Sequence, residues 1–429
     1  MSRSASAHVC IVTPGQIGSN PRVVKEADAL HRAGFRITVV ATQTLAQVEP
    51  RDRSLMRRIS WHLERIDLRS KWRWWLRRGI QVSLRHAHIS TGIGWLADVS
   101  YSAFTPPLLL AAMRTRAELY IAHYPAALPA AAAAARRHGA LYAYDAEDFH
   151  LGDWPDDPAY ALEKQLVRSI EARYLPGCAY VTAASPGIAD AYCKAFDIDR
   201  PRVILNVFPL SQSPPAPMPR GTAEQGPSVY WFSQTIGPGR GLECAIRAVG
   251  LARTRPHLYL RGTPAADYEE YLKKVAVDAG AASLIHILPP DDPEKMECLA
   301  AAYDIGLVAE TGHSKSRQLC LTNKLFSYLL AGVPPLMSDT AAHRKFAEET
   351  FMTDFIYPID DAHALACLLD RVLGDPNRLA VARADAWRLG QNRYNWERER
   401  GGLVEAVNRV ISAAGRSCSV ANARRSVEL

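Results

Sequence analysis

The chain opens with "HVCIVTPG", an unbroken apolar run closed by Pro-Gly, the pattern of a parallel strand buried on both faces. "NPRVVKEADALHRAGF" follows with Val23, Val24, Ala27 and Leu30 at helical spacing, and Gly34 stops it. "RITVVAT" is the next buried run, so the opening is β-α-β, which implies a right-handed crossover in an α/β sheet. The alternation resumes with strands at "AELYIAHY", "ALYAYDAED", "AYVTAAS" and "RVILNVF". Helices separate them over 126–137, 158–175 and "PGIADAYCKAF". Residues 209–228, rich in Pro, Ser and Gly, read as a linker. Beyond it, strands at "SVYWFSQ", "HLYLRG", "SLIHIL", "YDIGLVAE" and "PPLMSD" again alternate with helices. The pattern predicts an α/β chain of two doubly wound domains, 1–208 and 229–385, facing across a cleft at the carboxyl ends of their strands. A basic, Trp-rich insertion occupies 51–100. A helix over 386–415 is expected to cross back to the first domain, leaving a tail at 416–429.

Composition fits this picture. The 429 residues are too many for one ordinary core, and 48% hydrophobic with 22% charged residues is globular. No uninterrupted apolar run reaches transmembrane length, and the first apolar run is too short for a signal peptide. The cysteines (Cys10, Cys178, Cys193, Cys244, Cys298, Cys320, Cys367, Cys418) are scattered without a C-x-x-C pair. That argues against a zinc site or disulfide framework and for a reducing, cytoplasmic compartment.

The net charge of +7 is local. Residues 51–88 hold eleven Lys or Arg against Asp52, Glu64 and Asp67, and the remainder of the chain is nearly neutral. Trp72, Trp74 and Trp75 interleave with Arg73, Arg77 and Arg78. Two readings stand: a peripheral contact with an anionic membrane surface, at the inner face of the membrane, or a helical insertion whose tryptophans pack on the first sheet. No recognised nucleic-acid module surrounds the patch, so no nucleic-acid partner is expected.

Two stretches carry candidate chemistry in the second domain. In "YWFSQTIGPGRGLECAIRAVG", Gly237, Gly239 and Gly241 follow a strand and precede a helix, so backbone amides and a helix N-terminus can meet an anion, with Arg240 adding a charge. It is neither a Walker loop nor G-x-G-x-x-G. In "TNKLFSYLLAGVPPLMSD", Asn323 and Lys324 open a helix that Gly332 ends. In the first domain, Asp145, Glu147, Asp148 and His150 place four ionisable groups at the end of one strand. That favours a site that orients acceptor hydroxyls or takes a proton. "DID" at 197–199 reads as a turn before Pro201 rather than a metal motif.

Taken together, the order and spacing of these stretches resemble the family 4 glycosyltransferases of the GT-B fold. "SQTIGPGRGLECAIRA" lies over the family's glycine-rich loop and "NKLFSYLLAGVP" over its E-x7-E helix ending in A-G-x-P. "NPRVVKEADALHRAGFRITVVAT" resembles its opening, and "YDAEDFH" resembles a loop of a bacterial subgroup. The resemblance covers residue 8 to about 410 and implies two Rossmann-like domains. It further implies transfer of a sugar from a nucleotide-diphosphate sugar to an acceptor hydroxyl, with retention, as a hexosyltransferase-like (EC 2.4) enzyme of glycan, glycolipid or natural-product glycoside biosynthesis. The acceptor would be a small molecule or a lipid-linked glycan. No cofactor besides the donor co-substrate is expected, and no metal, since helix ends and basic residues commonly replace it in this fold.

Carried over by position, Arg240 takes the place of the phosphate-binding lysine and Gln234 that of the phosphate-binding arginine. Leu319 and Ser327 stand where the family has glutamates, the second of which binds ribose. Arg317 and Glu310 are candidates to restore the lost groups. Gly18 and Arg22 in "QIGSNPR" are expected to face the donor, though Arg22 also serves as a helix start, and Gly262 closes a donor-side strand. The resemblance puts His123 beside the transferred sugar. Leu319, Ser327 and Gln234 depart from the family pattern. They keep two alternatives open: a nucleotide-sugar epimerase or hydrolase on the same fold, and a catalytically weak scaffold that binds a partner or membrane.

Overall fold

The computed structural model describes residues 6–218 and 226–425. The chain divides into two units. The first holds the residues up to Ile204 together with those from Arg400 onward, and the second is Leu205–Glu399. Residues 219–225 of the expected linker lie outside the described residues.

The first unit is built on β1 (His8–Thr13), β2 (Arg36–Gln43), β3 (His62–Asp67), β4 (Leu119–His123), β5 (Leu141–Ala146), β6 (Val181–Ala183) and β7 (Arg202–Val203). They form one parallel sheet in the order β3-β2-β1-β4-β5-β6-β7. β1 and β4 are buried along their whole length, which is why their sequences are apolar without alternation. The helix Pro21–Arg32 starts where Asn20 accepts the Val23 amide proton and proline occupies the first turn. The helix Leu128–His138 buries its alanines and ends at Gly139, whose φ of 63° is left-handed.

One element contradicts the expected insertion over 51–100. β3 lies within that segment and pairs with β2 from Thr38↔His62 to Gln43↔Asp67. It is an edge strand that is nowhere fully buried, so "HLERID" carries charges where a central strand would be apolar. "RVILNVF" is shorter than expected, pairing only at Arg202 and Val203.

The second unit contains β8 (Ser228–Ile236), β9 (His257–Pro264), β10 (Ile285–Leu288), β11 (Ile305–Val308), β12 (Pro335–Ser338) and β13 (Ile356–Tyr357). They run parallel in the order β10-β9-β8-β11-β12-β13. Each sheet reverses its strand order once, between β1 and β4 in the first and between β8 and β11 in the second. The carboxyl ends of those strand pairs are where a doubly wound sheet leaves a crevice for ligands.

The single helix expected over 386–415 is instead two, Pro376–Asn392 and Trp396–Arg425. Asn395 makes the break: its Nδ2 donates to the Gly390 carbonyl at 3.0 Å, and its Oδ1 accepts the Arg398 amide at 3.2 Å. Within the second unit, the Trp396 amide donates to the Phe208 carbonyl at 2.9 Å. Within the first, Arg202 Nη1 donates to the Gly402 carbonyl at 2.6 Å and pairs with Glu405 at 2.9 Å.

Candidate active site

In the second unit, the loop after β8 and the chain after β11 meet at the strand-order reversal. Gly239 and Gly241 have φ of 71° and 67°, conformations that side chains resist. Gly241 also has no room for a Cβ, which would stand 2.9 Å from the Ala309 Cβ. The Thr311 hydroxyl donates to the Gly239 carbonyl at 3.3 Å. The glycines therefore press the loop against the end of β11 and set Arg240 beside Glu310. Gly241 caps the helix Leu242–Leu251, whose amino end faces the same loop.

Arg317 Nη1 lies 3.5 Å from Glu310 Oε2. Lys324, in the first turn of the helix Asn323–Ala331, is buried with its ammonium 5.4 Å from the centre of the Trp231 ring. Burial lowers the Lys324 pKa to about 8. Glu310 opposes the shift, while Arg240 and Arg317 add to it. Burial would raise the Glu310 carboxyl, but Lys324 and then Arg317, His343 and Arg240 hold it below the usual carboxylate range. Arg240 is lowered by its own burial and by Arg317. Three cations thus surround one carboxylate, an excess of positive charge in a poorly solvated place. Among the described residues, such an arrangement is suited to an anion with more than one charge.

The other donor-side expectations fare differently. Asn323 begins the Lys324 helix, and Gly237 is buried in the loop. Gln234 is exposed on β8, within the register shift between Phe232 and Thr235. Gly262 is a packing glycine: its φ is 152°, and its backbone lies against the Ser233 carbonyl. Ser327 is fully buried and donates its hydroxyl to Glu297 Oε1 at 2.6 Å, so it does not present a group to a ribose. Leu319 is half-buried.

In the first unit, the loop after β1 and the ends of β4 and β5 build a buried charge network. Arg22 holds Asp145 with two hydrogen bonds, Nε to Oδ2 at 2.6 Å and Nη2 to Oδ1 at 2.7 Å. Its Nη1 donates to the Ile204 carbonyl at 2.9 Å. Arg22 is therefore spent inside this unit, which replaces the expectation of a phosphate contact. Gly18 is likewise structural: its amide donates to Asp52 Oδ1 at 2.8 Å, and a Cβ there would come within 2.7 Å of that oxygen.

His123 has no exposed surface. Its Nε2 lies 2.6 Å from Glu26 and its Nδ1 2.8 Å from Glu147, with Asp145 at 3.4 Å. Burial alone would strip the imidazolium of its proton. Glu26 first, then Glu147 and Asp145, outweigh that and raise its pKa to about 10. The expected sugar-facing imidazole is instead a buried cation between carboxylates. Glu26, His123 and Asp145 bring potential ligand atoms within 4.8 Å of one another, a set that could in principle hold a metal. With Arg22 bidentate on Asp145 and an imidazolium in the middle, that donor set is already neutralised. Glu26 was missed in the sequence, although it shares the buried stripe of Val23, Ala27 and Leu30 on its helix.

Asp148 and His150 are brought together elsewhere, on the wall of a cavity of about 550 Å³ inside the first unit, with Tyr101, Tyr124, Trp154 and Arg85. His150 Nδ1 pairs with Asp153 at 2.9 Å, while its buried Nε2 has no hydrogen-bond partner among the described residues. Burial lowers the His150 pKa, but Asp153 more than compensates and raises it to about 9. Aromatic faces beside carboxylates suit a hydroxyl-rich ring. Of the four ionisable groups expected to act together, Asp145 and Glu147 belong to the His123 network, and only Asp148 and His150 line this cavity.

Comparison with known proteins bears on the fold. No curated protein matches the chain by sequence. Among solved structures, Anabaena HepE in complex with UDP-glucose is similar at TM-score 0.68 and 15% identity, covering 94% of this chain and 99% of that one. Sucrose-phosphate synthase from Thermosynechococcus elongatus is similar at TM-score 0.67 and 13% identity, over 95% and 100%. TarM, whose mutant structure is from S. aureus, is similar at TM-score 0.67 and 9% identity, over 96% and 100%. These likenesses show the fold, which is GT-B. The profile of the glycosyl transferase 4-like domain matches residues 17–206, so the first unit of this GT-B chain carries a glycosyl transferase 4-like domain, as the motifs implied.

Proposed function

We propose that the chain transfers a sugar from a nucleotide-diphosphate sugar to an acceptor hydroxyl, with retention of configuration and without a metal. The observation that carries this reading is the convergence of Arg240, Arg317 and Lys324 on buried Glu310 at the strand-order reversal of the second unit. A diphosphate supplies the charge that this cluster lacks. As the bond from the anomeric carbon to the phosphate oxygen breaks, the cations stabilise the departing diphosphate. The acceptor oxygen bonds to the anomeric carbon, and its proton passes to the phosphate oxygen that left. Glu310 positions the cations rather than touching the sugar. The cavity of the first unit, with Asp148 and His150 on its wall, is the candidate acceptor pocket.

Uridine nucleotides are the first donors to test, since HepE is described in complex with UDP and with UDP-glucose, and TarM with UDP. A thermal-shift screen over nucleotide sugars identifies the donor, because a tight ligand stabilises the fold by mass action. Product analysis with and without candidate acceptors then tests the reaction. Turnover of donor without any acceptor, giving an epimer or free sugar, would replace transfer by epimerisation or hydrolysis. The burial of Ser327 against Glu297 favours a second reading, a weakly active scaffold, which absence of turnover with every bound donor would support.

A further inference from the structure

The helix Lys71–Thr91 has two unlike faces. Trp74, Gln81 and His88, seven residues apart, turn inward. Trp74 is half-buried with its ring 5.8 Å from that of Phe104. Gln81 Nε2 donates to the carbonyls of Ser100 at 3.0 Å and Tyr101 at 2.9 Å. His88 Nδ1 lies 3.0 Å from the Ile93 carbonyl. Trp74 is therefore a packing residue.

The opposite face is apolar and open. Trp72 and Trp75 are 66% and 71% exposed, and Leu76, Ile80, Val82 and Ile89 follow them along the helix. Ile93 and Trp95, just beyond it, are exposed as well. Of the seventeen large hydrophobic side chains exposed among the described residues, eight fall between 72 and 95, so this patch is not scattered surface. Lys71 and Arg78, also seven residues apart, run along one edge of the stripe and are exposed. The helix holds five Lys or Arg and no Asp or Glu, and of these Arg85 pairs with Glu163 at 2.5 Å. By contrast, three of the basic residues before this helix are ion-paired within the unit. Arg53 and Arg65 pair with Glu49, and Arg69 pairs with Asp67.

We infer that this helix lies in the surface of an anionic lipid bilayer. Indoles and aliphatic side chains enter the boundary between head groups and acyl chains, while the flanking lysine and arginine meet anionic head groups. No helix among the described residues is long and apolar enough to cross a membrane, so the contact is interfacial. A second copy is a poorer occupant, because a two-fold interface would set two basic helices without acids against each other. Arg85 of the same helix lines the cavity of the first unit, so docking sets that cavity at the lipid surface. The inference does not depend on the donor reading, whose residues lie in the second unit.

The test is co-sedimentation of the full chain with vesicles of phosphatidylcholine mixed equally with phosphatidylglycerol, and with phosphatidylcholine alone. The expected result is binding to the anionic vesicles at low salt that weakens as salt rises, and far weaker binding to the neutral ones. Replacing Trp72, Trp75, Leu76 and Ile80 together by serine lowers partitioning by about tenfold or more, since the buried apolar area sets the strength of such contacts. Lys71→Glu with Arg78→Glu removes much of the salt-dependent part. The four side chains replaced by serine are exposed, so that variant keeps the wild-type unfolding temperature and nucleotide binding. Arg78 also donates to buried Gln81 Oε1 at 2.8 Å, so the charge variant is compared at a temperature where it is folded. Wild-type protein remaining in the supernatant with anionic vesicles at low salt overturns the inference. So does a dimer in analytical ultracentrifugation that the serine variant dissociates while vesicle binding is unaffected.

Discussion

Arg22 and Asp145 lie in a bidentate pair, at 2.6 and 2.7 Å, with both side chains buried in the first unit. Breaking a buried pair leaves a charge without compensation, at a cost of about 3–5 kcal/mol. Arg22→Ala should therefore lower the unfolding temperature by on the order of 10 °C. UDP affinity, measured at a temperature where the variant is folded, should be unchanged. A large loss of affinity without loss of stability would return Arg22 to the donor phosphate.

The His123 network makes stability depend on pH. With the folded pKa raised from 6.5 to about 10, the folded state holds a proton that the unfolded chain has released between those values. The stabilisation is full below about pH 6.5 and is lost as pH rises through about 10. Other groups add their own slopes, so the quantity to measure is the stability difference between wild type and His123→Gln by urea unfolding. That difference should shrink steadily from pH 6.5 to 10, and a constant difference would mean that His123 is neutral in the folded protein.

Ser327 donates to Glu297 at 2.6 Å in a buried place. Restoring the family's glutamate with Ser327→Glu should therefore destabilise the protein by several kcal/mol, on the scale of about 3–5 kcal/mol for an uncompensated buried charge. It should not improve donor binding. Adding Glu297→Gln should recover part of the loss, because it removes the facing carboxylate. A stable single variant that binds UDP more tightly would place position 327 at the ribose.

Much of this architecture was legible in the sequence, because buried parallel strands such as "HVCIVT" and "LYIAH" announce themselves by unbroken apolar runs. β3 was not, since an edge strand with alternating charge carries no such run. Arg240 and Lys324 could be singled out because glycines and a helix start mark their backbone context. The fates of Arg22, His123 and Ser327 could not be read, because each depends on a partner distant in sequence: Asp145, Glu26 and Glu297. A charged residue in a strand-end loop looks the same whether it faces a ligand or a buried counter-charge.

Lys324 gives the donor site a pH signature. Its pKa is lowered to about 8, so the unliganded lysine loses its proton as pH rises through that value. A bound diphosphate favours the charged form and raises the pKa. UDP binding should therefore take up protons between about pH 8 and 9, seen as a binding enthalpy that changes with the ionisation enthalpy of the buffer. Affinity should fall above pH 8 in wild type and show no such fall in Lys324→Met.

The most direct measurement is calorimetric titration of UDP into wild type, Arg240→Ala and Lys324→Ala. A charge-assisted hydrogen bond contributes about 1.5–3 kcal/mol, so each variant should bind UDP roughly tenfold or more weakly than wild type. Arg240→Ala should leave the unfolding temperature near the wild-type value, whereas Lys324→Ala also removes the leading counter-charge of buried Glu310, so its affinity is read at a temperature where the variant is folded. Unchanged affinity in both variants would contradict the assignment of the Arg240, Arg317 and Lys324 cluster as the donor phosphate site.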